Sequence, residues 1–446
     1  MKIADFINDE FKSYVNYDNY RSLPHIMDGL KVTERKVLNA FVEHIGYQKI
    51  VCDKAGMRAA DLTKYHHGAT SMIGVLVGMN QDFVGSNTLP LFDKFGQFGT
   101  RLNHKASSER YISTKLNENY KKLFDSDDIP ILNKQYDDGD LIEPEFYLPK
   151  LPLLLINGAE GTGNGYKSRV LSYEVDEVKQ AVQEVLKTGL VQTKLTPYLK
   201  GFEGNISKDH ETGQVTFEGN FERKNTTTII ITELPPKQQL ESYKAILNSL
   251  MDKTKQKDGV AFIKDYDNES TEDQWRFVID CPRTTTALTD KELMDKFKLV
   301  EKQTETLVAW MPNGKLKVFN SVEQLIETWV GLRLEFYEKR RINKIASYVD
   351  QIHWLTTKLN FIKFWNQSSA TLVKLNRSDL VASIIANVTD NKDFIDRLLS
   401  IRVSNLALDE VTSLNNEINK LQAEKLELEN TTNKVMMTKE LKSLKL

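Results

Sequence analysis

Two apolar seams in the last third of the chain restrict its fold more than any other feature. Ile345, Tyr348, Ile352, Leu355, Leu359 and Ile362 follow one another at alternating gaps of three and four residues. That spacing keeps one stripe of a helix apolar and calls for a second helix to cover it. Val411, Leu414, Ile418, Leu421 and Leu428 form a second stripe. The first helix is expected over about 322–364, and at ~1.5 Å per residue it would reach roughly 65 Å. Residues 366–404, between the seams, are too many for a turn and carry helical patterns of their own. The expectation is a long antiparallel coiled coil with a small helical knob at its far end, a geometry suited to dimerisation at a distance. Lys339-Arg340-Arg341 on the first helix reads as a solvated face.

A chain of 446 residues is too long for a single core. The divisions expected are 1–150, 151–320 and 321–446, an α+β multidomain protein. Two cysteines, Cys52 and Cys281, exclude a disulfide scaffold and a cysteine-rich zinc site, and fit a reducing compartment. No run of eighteen apolar residues and no signal-peptide pattern occurs, so a soluble cytoplasmic protein without membrane partners is expected. The net charge of −2 hides an asymmetry: Arg21 to Phe124 carries fifteen Lys/Arg against nine Asp/Glu. A basic excess in one segment points to a polyanionic partner for that segment.

Within that segment, helices are expected over 3–20, 33–45 and 54–64. Lys64-Tyr65-His66-His67-Gly68 follows, then an apolar helix over 71–83, a helix-turn-helix arrangement. Thr70 or Ser71 is the expected cap of this last helix. His66 and His67 are adjacent, not four apart as a helical metal pair requires, and read as hydrogen-bonding groups. A glycine-punctuated loop, Gly96-Gln97-Phe98-Gly99-Thr100-Arg101, leads to Ser108-Glu109-Arg110-Tyr111-Ile112. A tyrosine directly after an arginine, at the start of an expected helical face, is a candidate nucleophile. Lys94, His104 and Lys105 add further basic groups to that loop. Leu151 to Ile156 is expected as a strand running into Gly158, Gly161, Gly163 and Gly165. Tyr166 breaks both the Walker A and the dinucleotide pattern there, which argues against nucleotide binding. Beyond it the texture is α/β, with a helix over 175–186 and strands over 227–232 and 315–319.

The motifs taken together are more specific than any one of them. Arg21-Ser22-Leu23-Pro24, Asp28-Gly29-Leu30-Lys31, Glu34-Arg35-Lys36, Tyr65-His66-His67-Gly68 and Gly96-Gln97-Phe98-Gly99 stand in order. So do Arg110-Tyr111-Ile112, Glu143-Pro144-Glu145-Phe146-Tyr147-Leu148-Pro149, Ile231-Thr232-Glu233-Leu234-Pro235 and Arg333 to Arg340. This series resembles the DNA breakage-reunion region of type IIA DNA topoisomerases. Its spelling is nearer the eukaryotic and T4-like phage branch than bacterial gyrase, and no ATPase or Toprim motif accompanies it. It is most similar in these respects to the medium, DNA-cleaving subunit of a T4-like phage enzyme.

The resemblance implies a winged-helix cleavage domain, a tower domain and a coiled-coil arm carrying a dimerisation knob. It implies that Tyr111 becomes linked to a DNA 5′ phosphate. Arg110 would steady the charge on the phosphate, and Arg35 and His67 would contact the scissile phosphate. Arg21, Lys36, His66, Ser71 and Lys105 would be backbone contacts. Val170, where the family has an isoleucine followed by proline, would be the wedge that bends DNA; Leu171 stands in place of the proline. No metal ligand is expected in this chain. Mg2+ and ATP would be held by a large ATPase/Toprim partner subunit, with double-stranded DNA and a second copy of this chain as further partners. The alternative is a non-catalytic helix-turn-helix architectural protein on a coiled-coil arm. A rolling-circle relaxase is disfavoured by the adjacent histidines, and a tyrosine recombinase would differ in the polarity of its DNA linkage.

Overall fold

The computed structural model describes residues 3, 7–256, 259–402, 406 and 408–446. Two compact units emerge: Met1–Ser126, Leu132–Arg333 and Glu440–Leu446 form the first, and Asp127–Ile131 with Leu334–Lys439 the second. The division expected near 150 does not part compact units. The one expected near 320 falls at Arg333, inside a helix. Arg333 itself supplies the reason. It is fully buried and donates from Nε to the Pro149 carbonyl (3.1 Å) and from Nη2 to that of Leu148 (3.2 Å), tying the start of that helix to the first unit.

In the first unit, a π-helical turn at Ile7–Phe11 leads into α1 (Lys12–Ser22). This is the helix expected over 3–20, of which 4–6 lie outside the described residues. Leu23 is extended, as a residue before proline prefers, and ends it. Then come α2 (Val32–Ala40), α3 (Cys52–Leu62) and α4 (Ala69–Asn80), close to the expected spans. Their shared core holds Val37, Leu38, Phe41, Ala55, Ala59, Met72 and Leu76. A Cβ on Gly56 would lie 2.4 Å from Ile73 Cγ1, so α3 and α4 meet where only glycine fits. The N-cap of α4 is Gly68 at φ +86°, with no side-chain cap; Thr70 and Ser71 lie inside the helix.

β1 (Ile50–Val51), β2 (Phe92–Phe95) and β3 (Ser113–Leu116) form an antiparallel sheet in the order β1-β3-β2. Tyr111 therefore precedes a strand, not the expected helix. Ile112 and Leu116 stand four apart, a spacing both structures share; buried Thr114 between them sets the period at two. Asn117 then caps the short α5 (Glu118–Leu123). The expected strand at 151–156 is instead a buried helical turn, α6 (Leu153–Asn157), entered from Pro152. A continuous apolar run does not by itself separate buried helix from buried strand. The glycines that follow shape a hairpin of β4 (Ala159–Thr162) and β5 (Lys167–Val170).

After α7 (Val175–Thr188) come β6 (Asn205–Lys208), β7 (Gln214–Glu218), β8 (Asn220–Arg223) and β9 (Thr228–Glu233). With α8 (Leu240–Met251), β10 (Asp265–Asn268), β11 (Phe277–Asp280) and α9 (Asp290–Lys296), they lead to β12 (Val300–Thr304). One antiparallel sheet runs β8-β9-β11-β10, another β12-β7-β6. The first packs Ile229, Ile231, Phe277 and Ile279 against Tyr243, Leu247, Leu293 and Phe297 of α8, α9 and the residue after α9. Burying these side chains contributes about 1.5–3 kcal/mol each, which is offset largely by ordering the chain.

A hairpin of β13 (Leu307–Trp310) and β14 (Leu316–Phe319) precedes α10 (Val322–Leu372), 51 residues long and so roughly 75 Å. In the second unit α10 runs antiparallel to α13 (Leu408–Glu429). Lys358 Nζ meets Glu410 at 2.7 Å, and Arg341 Nη1 reaches the Leu428 carbonyl at 3.5 Å. Between them lie α11 (Arg377–Asn387) and α12 (Lys392–Leu399). Leu359, Ile362, Ile384, Ile395, Leu398, Leu414 and Ile418 close one core. The 366–404 span thus begins inside α10, and 403–404 lie outside the described residues. The solvated face expected at Lys339-Arg340-Arg341 holds only in part. Arg340 is 2% exposed, paired with Asp128 (3.5 Å) and stacked on Tyr337. The last helix is α14 (Asn433–Ser443).

Candidate active site

The turn that carries Tyr111 is bolted to its surroundings by backbone. Its amide donates to the Ser108 carbonyl (2.9 Å). The Ile112 carbonyl accepts from Cys52 N (3.0 Å) and the Glu109 carbonyl from Asp53 N (3.4 Å). Those two amides open α3 and have no intrahelical acceptor, so the turn caps the helix and the helix fixes the turn. Ile112 is buried, and Thr114 Oγ1 donates to Asn80 Oδ1 (2.7 Å). On this anchored base the Tyr111 side chain is 78% exposed.

The glycine loop is held from the other side. Gly99 sits at φ +97°, where a Cβ would lie 2.6 Å from the His104 carbonyl oxygen. Gln81 Nε2 donates to the carbonyls of Phe98 (2.9 Å) and His104 (3.0 Å), and Ser107 N to that of Gln97 (2.9 Å). Lys105 and Arg110 emerge from this stretch into solvent. Arg101 does not: it is buried in a two-pronged pair with Glu233, with Nη1 2.9 Å from Oε2. Burial lowers the affinity of the His104 ring for a proton, and the ring stacks on Phe83 at 4.6 Å.

A second exposed group forms where α1 meets the loop before α4. Arg21 Nη1 donates to His67 Nε2 (2.9 Å), and the Tyr17 hydroxyl lies 3.2 Å from the same nitrogen. The Tyr65 ring stands edge-on to His67 at 5.5 Å, and its hydroxyl donates to Ser71 Oγ (3.2 Å). His66 faces Asp137 at 3.3 Å. Arg21, His66, His67 and Ser71 are therefore at the surface, as a phosphate contact requires. Among the described residues, no hydrogen bond joins this group to Tyr111.

Three expected site residues are buried instead of exposed. Arg35 is 1% exposed and grips Asp28 from Nε (2.8 Å) and Nη2 (3.1 Å), while Nη2 also donates to the Leu30 carbonyl (2.9 Å). Burial works against its charge, but the Asp28 carboxylate outweighs that and raises its proton affinity further. Lys36 is buried with Nζ on Glu143 (2.8 Å) and the Thr63 carbonyl (2.7 Å). Burial pushes the Glu143 carboxyl up despite the lysine. Both residues belong to the inward face of α2. Val170 is 3% exposed and paired with Ala159 in the β4–β5 hairpin. Strand alternation turns Lys167 and Arg169 outward and Val170 inward.

Tyr17 escaped the sequence reading, although its position four residues before Arg21 places the two on one helix face. Glu233 escaped as the partner of Arg101, since nothing in the sequence joins residues 132 apart. Among the described residues no three His, Cys, Asp or Glu side chains are placed to hold a metal ion, and no helix is long and apolar enough to cross a membrane.

A family model described as DNA gyrase/topoisomerase IV (A subunit) matches residues 21–443. The chain belongs to that family. DNA topoisomerase 2, mitochondrial, of Dictyostelium discoideum is 32% identical over 99% of this chain and 35% of its own length. DNA topoisomerase 2 of Candida albicans is 33% identical over 85% of this chain and 26% of its own. The crystal structure of the Plasmodium falciparum topoisomerase II DNA-binding, cleavage and re-ligation domain superimposes with a TM-score of 0.90 at 28% identity. That match covers 99% of this chain and 63% of the other. The chain spans about a quarter to a third of the curated relatives it matches. In this member of the gyrase/topoisomerase IV family the ordered motifs divide by role. Asp28, Arg35, Lys36, Arg101, Glu143, Glu233 and Arg333 hold the fold together, whereas Arg21, His67, Arg110 and Tyr111 face outward.

Proposed function

We propose that these residues form the DNA-cleaving part of an ATP-dependent type IIA topoisomerase. The Tyr111 oxygen attacks a backbone phosphorus and a phosphotyrosyl bond to the 5′ side forms. The bond to the 3′ oxygen breaks, the phenol gives up its proton, and the departing 3′ oxygen takes one up. Resealing runs the step backwards and needs no outside energy, because the phosphotyrosyl link retains the bond's energy. Arg110, beside the nucleophile, steadies the charge developing on the phosphate oxygens. Arg21 and His67 serve as phosphate contacts, with His66, Ser71 and Lys105 along the backbone. Arg35 and Lys36 act at one remove, as braces of α2. On this reading α2–α4 with the β1-β3-β2 sheet are the winged-helix module, and the α10–α13 pair is the coiled-coil arm of a homodimer.

The observation that carries the proposal is Tyr111 itself: an exposed phenol on a turn clamped by α3 and β3, within the ordered motif series. Among the described residues the carboxylates do not assemble into a metal site, so no step derived for these side chains runs through Mg2+. Mg2+ and ATP are assigned to a large ATPase/Toprim partner, as in the split enzymes of T4-like phages. With that division we assign the protein to DNA in the cytoplasm of a bacterial host.

The test is covalent adduct formation with supercoiled DNA, Mg2+ and the partner subunit. Tyr111→Phe should abolish it while leaving DNA binding within about twofold, since only the hydroxyl is removed. Persistent adduct in that variant defeats the nucleophile assignment. A parent chain that binds DNA but never forms adduct favours the architectural alternative. Binding itself should weaken steeply with salt, because it rests on phosphate contacts.

A further inference from the structure

Two side chains of α1 converge on one imidazole nitrogen, and only Arg21 has a proposed role at DNA. Arg21 Nη1 stands 2.9 Å from His67 Nε2, and the Tyr17 hydroxyl 3.2 Å from it. A guanidinium can only donate, so Nε2 is the acceptor and the ring proton sits on Nδ1. The Tyr17 hydroxyl can donate to that same lone pair. Its ring also lies under the guanidinium, 5.4 Å from Cζ of Arg21. The groups facing His67 are thus one arginine and two phenols, Tyr17 and Tyr65; the neighbouring His66 is engaged with Asp137.

We infer that Tyr17 is a positioning residue that holds His67 in the tautomer with its proton on Nδ1, so that Nδ1–H is the donor offered to a DNA phosphate. Arg21 does the same only while it is free. An arriving phosphate draws the guanidinium toward itself, because it carries a full negative charge and can accept two guanidinium N–H groups at once, whereas the neutral imidazole nitrogen offers a single lone pair. The uncharged phenol gains less from the phosphate and stays on Nε2. The ring then keeps its orientation and tautomer at the moment it is needed. This rests on the proposed phosphate role of His67.

The test uses the chain with its partner subunit, Mg2+ and DNA. Tyr17→Phe keeps the ring beneath Arg21 and removes only the hydroxyl. The rate of adduct formation should fall by about three- to tenfold, the size of one hydrogen bond, with DNA affinity changed by less than about twofold. In a His67→Ala background the same change should have no further effect. Independently of any cleavage, 15N-histidine spectra of the DNA-free chain should show His67, identified by its loss in His67→Ala, with a bare Nε2. In Tyr17→Phe Arg21 should hold that signal until DNA without Mg2+ is added, when it should shift toward a mixture of tautomers that the parent does not show. An equal slowing in the His67→Ala background, a proton on Nε2 in the parent, or an unchanged rate and DNA-bound spectrum in Tyr17→Phe overturns the inference. If Tyr111→Phe still forms adduct, the reading of the reaction fails instead, and the spectra still decide the role of Tyr17.

Discussion

Removing the Arg35 side chain should unlatch the start of α2 before it does anything to DNA chemistry. Asp28 receives four hydrogen bonds in a dry setting: two from Arg35, one from Leu30 N (3.0 Å) and one from Tyr147 N (2.9 Å). Arg35→Met leaves that carboxylate buried without its counter-charge. Breaking a buried pair from one side costs about 3–5 kcal/mol. At about 1.4 kcal/mol per factor of ten, amide protection across 27–40 should drop by roughly 100- to 4000-fold in hydrogen exchange. Asp28→Leu alone should cost a similar amount, and more if the orphaned amides find no water. The double variant should recover part of the loss, because no lone charge remains. Its recovery is incomplete, since Leu30 N and Tyr147 N each lose their partner at about 1–3 kcal/mol, while the Leu30 carbonyl keeps His25 N (3.2 Å). Parent-like protection in Arg35→Met, combined with lost adduct formation, would refute this reasoning and return Arg35 to the phosphate.

Other consequences are open to measurement. His25 is buried, and desolvation holds its ring down to about 3 from 6.5, so the unfolded chain binds the extra proton between those values. Stability should be complete above pH 6.5 and decline as pH falls through that window; His25→Asn should flatten this limb in urea midpoints taken from pH 7 to 4. Gly99→Ala should cost about 1–3 kcal/mol, as a side chain at φ +97° meets the His104 carbonyl, and should slow adduct formation more than it weakens DNA binding. Cys52 and Cys281 are buried and each pushed up to about 12, so neither should take up iodoacetamide at pH 8 until urea unfolds the chain. Stoichiometric labelling of the native protein would contradict their burial.

Much of this protein is decided within short stretches of its sequence. The seams at 345–362 and 411–428 determine a long antiparallel helix pair, because a three-four spacing leaves an apolar stripe only another helix can cover. Helices α2 to α4 follow in the same local way. Ile112 and Leu116 mark where such reading stops, since their spacing suits helix and strand alike until burial of Thr114 settles it. Charge is the deeper case. Arg21, Arg35, Lys36, Arg101, Arg110 and Arg333 look alike in sequence, all cations in a motif series. Which of them reach solvent depends on where Asp28, Glu143, Glu233 and the Leu148 and Pro149 carbonyls arrive in space. A buried cation survives only beside a partner that offsets its desolvation, and those partners are as many as 185 residues away. Tertiary structure alone therefore separates the arginines that brace the fold from those left to meet a phosphate.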